Sequence, residues 1–100
     1  MILTKEKRKE LRGLLINFLN DIYPNPIPKE SIYETFYEYW PTKDIDKELA
    51  YLVDKEYITE KVLPSPFGRS FDKINNYRLT AHGKDFIDGT IEDFGIQIRR

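Results

Sequence analysis

The stretch Tyr77–Gly89, YRLTAHGKDFIDG, changes period in its middle. Tyr77 and Leu79 alternate with polar residues, as in a half-buried strand, and Thr80 then stands where a helix N-cap belongs. Phe86 and Ile87 give the following short helix an apolar face, and Gly89 ends it. A strand-to-helix corner this late requires two things upstream: a partner strand, and a core on which Tyr77 and Leu79 can close.

The partner strand is YITEKVL, residues 57–63, which alternates loosely and is β-compatible. Between it and YRLT lies PSPFGRSFDKINN, residues 64–76, with the composition of a turn and loop, so the segment reads as a β-hairpin with a long tip. The core comes from three helical patterns. In TKEKRKELRGLLINFLNDIYP, residues 4–24, Leu11, Leu14, Leu15, Phe18, Leu19 and Ile22 form one apolar stripe, Thr4 is a candidate N-cap, and Pro24 stops the helix. Pro24, Pro26 and Pro28 prevent continuation, and Pro28 suits the first turn of a second helix. That helix carries Ile32 and Phe36 one turn apart, with Tyr33, Tyr37, Tyr39 and Trp40 around them; these aromatics are expected mainly to complete the small core. In TKDIDKELAYLVDKEYI, residues 42–58, Thr42 is the expected N-cap and Ile45, Leu49, Leu52 and Val53 the buried face. At about 100° per residue, Lys43, Lys47, Ala50, Tyr51 and Asp54 fall on the opposite face. In TIEDFGIQIRR, residues 90–100, Phe94, Ile96 and Ile98 repeat every second position, as in a packed tail strand or an exchanged arm.

Composition narrows the function classes. Sixteen basic and 17 acidic residues nearly cancel, giving a formal net charge of -1, so a nucleic-acid partner would have to be met by local charge. There is no cysteine and only one histidine, His82, which argues against disulfides and against a thiolate or histidine metal cluster. No apolar run is long enough for a membrane span, and MIL followed at once by TKEKRKE has the wrong order for a signal peptide; the cytoplasm is the expected compartment. No Gly-rich phosphate loop and no nucleophile motif occurs, and His82, at the start of a short helix, reads as an exposed polar residue, so neither an enzyme nor a cofactor is expected.

Helix, helix, helix, hairpin, helix is the order of a winged helix-turn-helix domain. The expected fold is therefore α+β and mainly helical: a three-helix core, a two-stranded β-wing, and a short C-terminal helix and tail. One domain spans 1–100, with helix 1 over about 4–22, helix 2 over about 28–39, a recognition helix over about 42–56, the wing over about 57–80, and the last helix and tail over about 81–100. LVDKEYITEKV, the hairpin and YRLTAHGKDFIDGTIEDFGI together resemble small winged-helix proteins of phage and prophage genomes, of the ArsR-like or MarR-like type. In those proteins a glycine-containing turn ends the recognition helix, where this chain has Glu56-Tyr57, and a leucine pair stands where this chain has Phe86-Ile87.

The resemblance implies binding of double-stranded DNA, as a transcriptional regulator or phage-type accessory protein. Lys43, Lys47 and Tyr51 would then approach base edges, and Lys61, Arg69, Lys73 and Arg78 would contact phosphates from the wing. Thr42 to Glu56 carries three lysines against five acids; Asp46, Glu48 and Glu56 lie towards the flanks, whereas Asp44 and Asp54 border the proposed contact. The alternative is a protein-interaction module on the same scaffold without DNA, favoured by those acids and by seven tyrosines, six phenylalanines and one tryptophan. Winged-helix regulators commonly dimerise through terminal elements, so helix 1 and the tail from Ile91 to Ile98 are the candidates for a homodimer.

Overall fold

A computed structural model describes residues 3–64 and 73–98. The chain is an α+β globule, about half helical, with four helices and a three-stranded antiparallel sheet. In chain order the elements are α1 (Lys5–Asp21), β1 (Ile27–Pro28), α2 (Lys29–Phe36), α3 (Thr42–Asp54), β2 (Ile58–Pro64), β3 (Lys73–Leu79) and α4 (Ala81–Ile87).

The helices pack around one apolar core. Leu11, Leu15, Ile16 and Leu19 of α1 meet Ile32 of α2, Ile45, Leu49 and Leu52 of α3, and Phe86 of α4. Ile58, Tyr77 and Leu79 bring the root of the sheet onto the same core. Each fully buried aliphatic or Phe side chain contributes about 1.5–3 kcal/mol by leaving water. The stripe of α1 is rotated from the expected one: Ile16 is fully buried, and Leu14 is 39% exposed. Leu14 and Ile16 lie about 200° apart around the helix, and only packing against α3, α4 and the sheet decides which of them turns inward.

The sheet order is β1-β3-β2, with Ile58 opposite Leu79, Glu60 opposite Tyr77 and Lys61 opposite Asn76. Two strands were expected and three are present, because Ile27 and Pro28 pair with Tyr77 and Asn76 along the outer edge of β3. In the sequence NPIP reads as a helix break. The prolines favour extended backbone, and Pro28, which has no N–H to donate, is tolerated at a sheet edge. β3 also starts earlier than the YRLT motif: Lys73 to Asn76, which read as loop, form its first half, held by the continuous register with β2.

Helix ends follow local chemistry. Thr4 caps α1 by accepting the Lys7 N–H at 3.2 Å, and Thr80 caps α4 by accepting the Gly83 N–H at 3.0 Å. Thr42, expected to cap α3, is instead its first residue. The cap position belongs to Pro41, whose carbonyl accepts from Asp44 and Ile45, and no side chain caps this end. α2 stops at Phe36 rather than near Tyr39, where the Phe36 carbonyl accepts from both Tyr39 and Trp40 and the Trp40 ring turns into the core.

α3 ends in a paired-carbonyl turn: the Tyr57 N–H donates to Leu52 at 3.1 Å and the Glu56 N–H to Val53 at 2.9 Å. This geometry puts Glu56 at φ 65, a left-handed conformation that disfavours any side chain. Gly89 occupies the corresponding position after α4, at φ 85, without that penalty. Glu56→Gly is therefore expected to stabilise the protein by about 0.5–1 kcal/mol, relief of left-handed strain outweighing the added chain entropy. A higher urea midpoint at unchanged slope would register it.

The tail, residues 90–98, forms no strand. After a turn at Phe94-Gly95 it crosses α1, where the Gln97 N–H donates to the Lys9 carbonyl at 3.1 Å. Gly13 permits the crossing, since a Cβ there would lie 1.8 Å from the Gln97 carbonyl oxygen. Ile96 is buried and Ile98 partly so, whereas Phe94 remains 86% exposed.

A candidate nucleic-acid interface

α3 presents four longitudinal strips. Ile45, Leu49 and Leu52 face the core. Lys43, Lys47, Ala50 and Asp54 face solvent. Between these lie two flanks, and each is tied to a different neighbour. On one, Asp46 accepts a hydrogen bond from the Tyr33 hydroxyl and pairs with Lys29 at 3.2 Å. On the other, Glu48 pairs with Arg12 at 2.7 Å, and the Arg12 guanidinium lies 3.6 Å from the Tyr51 ring centroid.

The cations of the chain divide accordingly. Lys7, Arg12, Lys29, Lys55 and Lys84 are paired with carboxylates, which largely cancels their fields. Lys5, Lys9, Lys43, Lys47, Lys61, Lys73 and Arg78 have no carboxylate partner among the described residues, and Arg69 lies outside them. Lys43 and Lys47 share the exposed strip one turn apart. Arg8 lines a cleft beside the start of α3 with Lys43, Lys47, Asp44 and Glu48, although its guanidinium is committed to the Leu3 carbonyl at 2.8 Å.

The hairpin cations do not form one surface. Opposed residues in an antiparallel pair share a face, so Thr59, Arg78, Lys61 and Asn76 lie on one side of the hairpin. Ile58, Leu79, Glu60, Tyr77, Val62, Asn75 and Lys73 lie on the other. The second side is the one that turns its root into the helical core, so Lys61 and Arg78 look away from α3 and Lys73 lies at the far end of the near side. Tyr51, expected to approach bases, is half-buried under Arg12 and borders the tail instead of standing free on the outer strip.

The groove between α3 and the hairpin, about 340 Å³, carries the opposite sign. Asp46, Asp54 and Glu60 line it with Lys29 and Tyr77. Glu60 accepts hydrogen bonds from the Tyr77 hydroxyl and from Asn75, at 2.9 Å for the latter. Burial and then that hydrogen bond to Glu60 push the Tyr77 phenol up to about 12. Burial and a hydrogen bond to Asp93 do the same for Tyr57, also to about 12. Both residues are almost wholly buried, so the neutral form is favoured in the folded chain. Stability from these two groups is complete below their ordinary value of 10.0 and is lost as pH rises towards about 12. Urea midpoints measured from pH 9 upwards should fall steeply in the parent, and less steeply in Tyr57→Phe and Tyr77→Phe.

The aromatic cluster of α2 and its exit splits. Trp40 is buried and Tyr33 half-buried, but Tyr37 and Tyr39 are 60% and 83% exposed. Exposed His82 stacks on the Tyr57 ring at 5.0 Å. α1 and the tail, the elements expected to carry a homodimer, meet each other within one chain. Among the described residues no three His, Asp or Glu side chains converge on a metal position, and no helix is long and apolar enough to cross a membrane.

The Arg12–Glu48 pair and the acidic groove were not legible beforehand. Arg12 and Glu48 are 36 residues apart, and no spacing rule connects them. The groove draws its acids from α3 and β2, and nothing in sequence spacing brings these together. No protein-family model, curated protein or solved structure matches the chain.

Proposed function

We propose that the chain is a winged helix-turn-helix domain that binds double-stranded DNA, inserting the N-terminal half of α3 into the major groove, as a regulator or phage-type accessory protein of the cytoplasm. The observation that carries this reading is the pair of exposed lysines one turn apart on the outer strip of α3. Five other cations are neutralised within the fold, whereas Lys43 and Lys47 stand, among the described residues, without a carboxylate partner. The element order agrees: a strand after the first helix pairs with the second hairpin strand, and two helices joined by a short turn precede the hairpin.

The acidic groove limits the docking. Asp54 and Glu60 repel phosphate, so DNA would approach the Lys43 end of α3 rather than lie along the whole helix. Lys61 and Arg78, on the far side of the hairpin, would reach phosphate only where the backbone wraps past the hairpin edge. Tyr51 is not part of this interface.

Binding of the full chain to mixed duplex fragments across a salt series tests the reading. Retention at low salt that falls steeply with added salt is expected, because each phosphate neutralised by the protein releases counterions. Absence of retention at low salt would overturn it. That outcome would favour a protein-interaction module, for which the exposed Tyr37 and Tyr39 are the specific observation.

A further inference from the structure

The C-terminal tail and α3 are mechanically linked through two side chains, Arg12 and Asp93. Glu48, Tyr51 and Lys55 follow one another at helical spacing along a single flank of α3, and every one of them is gripped from outside the helix. Arg12 donates from Nε to Glu48 Oε1 at 2.7 Å and from Nη1 to the Gly95 carbonyl at 2.8 Å, with its plane over Tyr51. Lys55 pairs with Asp93 at 3.6 Å. Asp93 in turn accepts from the Gly95 N–H and the Tyr57 hydroxyl, both at 2.8 Å. One guanidinium thus joins α1, α3 and the tail, and one carboxylate joins the tail to the end of α3.

The geometry points to Arg12 as a positioning residue for the exposed strip of α3, acting through a clamp that the C-terminal tail closes. Lys43 and Lys47 are fixed to the same rigid helix as the gripped flank, so the clamp sets how far that strip is rotated towards a partner. Arg12 itself is 14% exposed in its side chain, and its Nε and Nη1 donors are engaged within the fold, so it is not placed to meet phosphate. The planar fork matters: two donors in fixed directions and a flat face satisfy Glu48, Gly95 and Tyr51 together, whereas an ammonium on a flexible stem cannot hold all three. The functional consequence rests on the proposed DNA binding; the clamp does not.

Arg12→Lys keeps the charge beside Glu48 and removes the fork, so it is the informative variant. Amide exchange at Gly95 and Gln97 is expected to accelerate about tenfold or more, together with faster exchange in the last turn of α3. Affinity for duplex DNA should fall about tenfold while its salt slope stays that of the parent, since Arg12 itself touches no phosphate. Ile16→Val, a core change with no part in the clamp, should bind DNA like the parent when both are folded. Unchanged exchange in the tail of Arg12→Lys would overturn the clamp, and an equal affinity loss in Ile16→Val would overturn positioning in favour of general destabilisation. Asp93→Asn, which leaves Arg12 on Glu48, provides the second variant: it should loosen the tail in the same exchange assay, and unaltered protection there would count against the clamp. If the parent itself retains no DNA, the proposed DNA binding falls, and the exchange data still decide whether the clamp exists.

Discussion

Arg12→Met is expected to cost about 3–5 kcal/mol of folding free energy, a large part of what a domain of this size possesses. Glu48 is only 3% exposed, and Arg12 is its only ion-pair partner among the described residues. Removing the guanidinium leaves a carboxylate in low dielectric without its counter-charge, and also frees the Gly95 carbonyl. For a chain of this length each kcal/mol lowers the melting temperature by roughly 4–8 °C, so thermal unfolding alone should show the effect. The double replacement Arg12→Met with Glu48→Leu should recover most of the loss, because two apolar side chains of similar volume need no desolvation of charge. A double variant as unstable as Arg12→Met would mean that the hydrogen bond to the tail, rather than the buried charge, carries the energy.

Reversing the charge on the outer strip is expected to have the second-largest effect, on binding rather than on folding. Lys43→Glu with Lys47→Glu should weaken duplex binding by about 1–3 kcal/mol, about five- to 150-fold at fixed salt. The log–log dependence on salt should become shallower by about 0.9 for each phosphate that is no longer neutralised. Both side chains are exposed and without a carboxylate partner among the described residues, so their replacement breaks no ion pair there and stability should change by less than about 0.5 kcal/mol for each. Lys84→Glu on α4 supplies a control of the same sign, since Lys84 is engaged with Asn20 and Asp88 away from this strip. If it weakens binding as much per charge as the α3 variant does, then net charge governs affinity and α3 has no special role.

How much of this protein could be read in advance depended on the range of the interaction. The caps at Thr4 and Thr80, the stop at Gly89 and the buried face of α3 each rest on residues within about one turn of one another, so local spacing determined them. So did the outward placement of Lys43 and Lys47, which needs only the period of the helix and the positions of Ile45, Leu49 and Leu52. The third strand could not be read this way. Ile27 and Pro28 are extended because prolines surround them, but they become β1 only because the edge of β3 is there to pair with.

Side chains that the helical wheel leaves on a boundary were settled by whichever neighbour arrived. Tyr51 reads as outward-facing until Arg12 from α1 covers its ring, and Leu14 reads as core until Ile16 takes its place. The tail alternates like a strand, yet among the described residues it pairs with no strand edge. It lies across α1 at Gly13 because a missing Cβ leaves room for the backbone and Arg12 offers a donor to the Gly95 carbonyl. The four helices, the ends at Thr4, Thr80 and Gly89 and the apolar face of α3 were thus determined by the sequence alone, through hydrogen-bond geometry and period. The edge strand, the buried ion pair, the acidic groove and the course of the tail were decided by the tertiary structure, because each needs groups far apart in the chain to meet before any energy is gained.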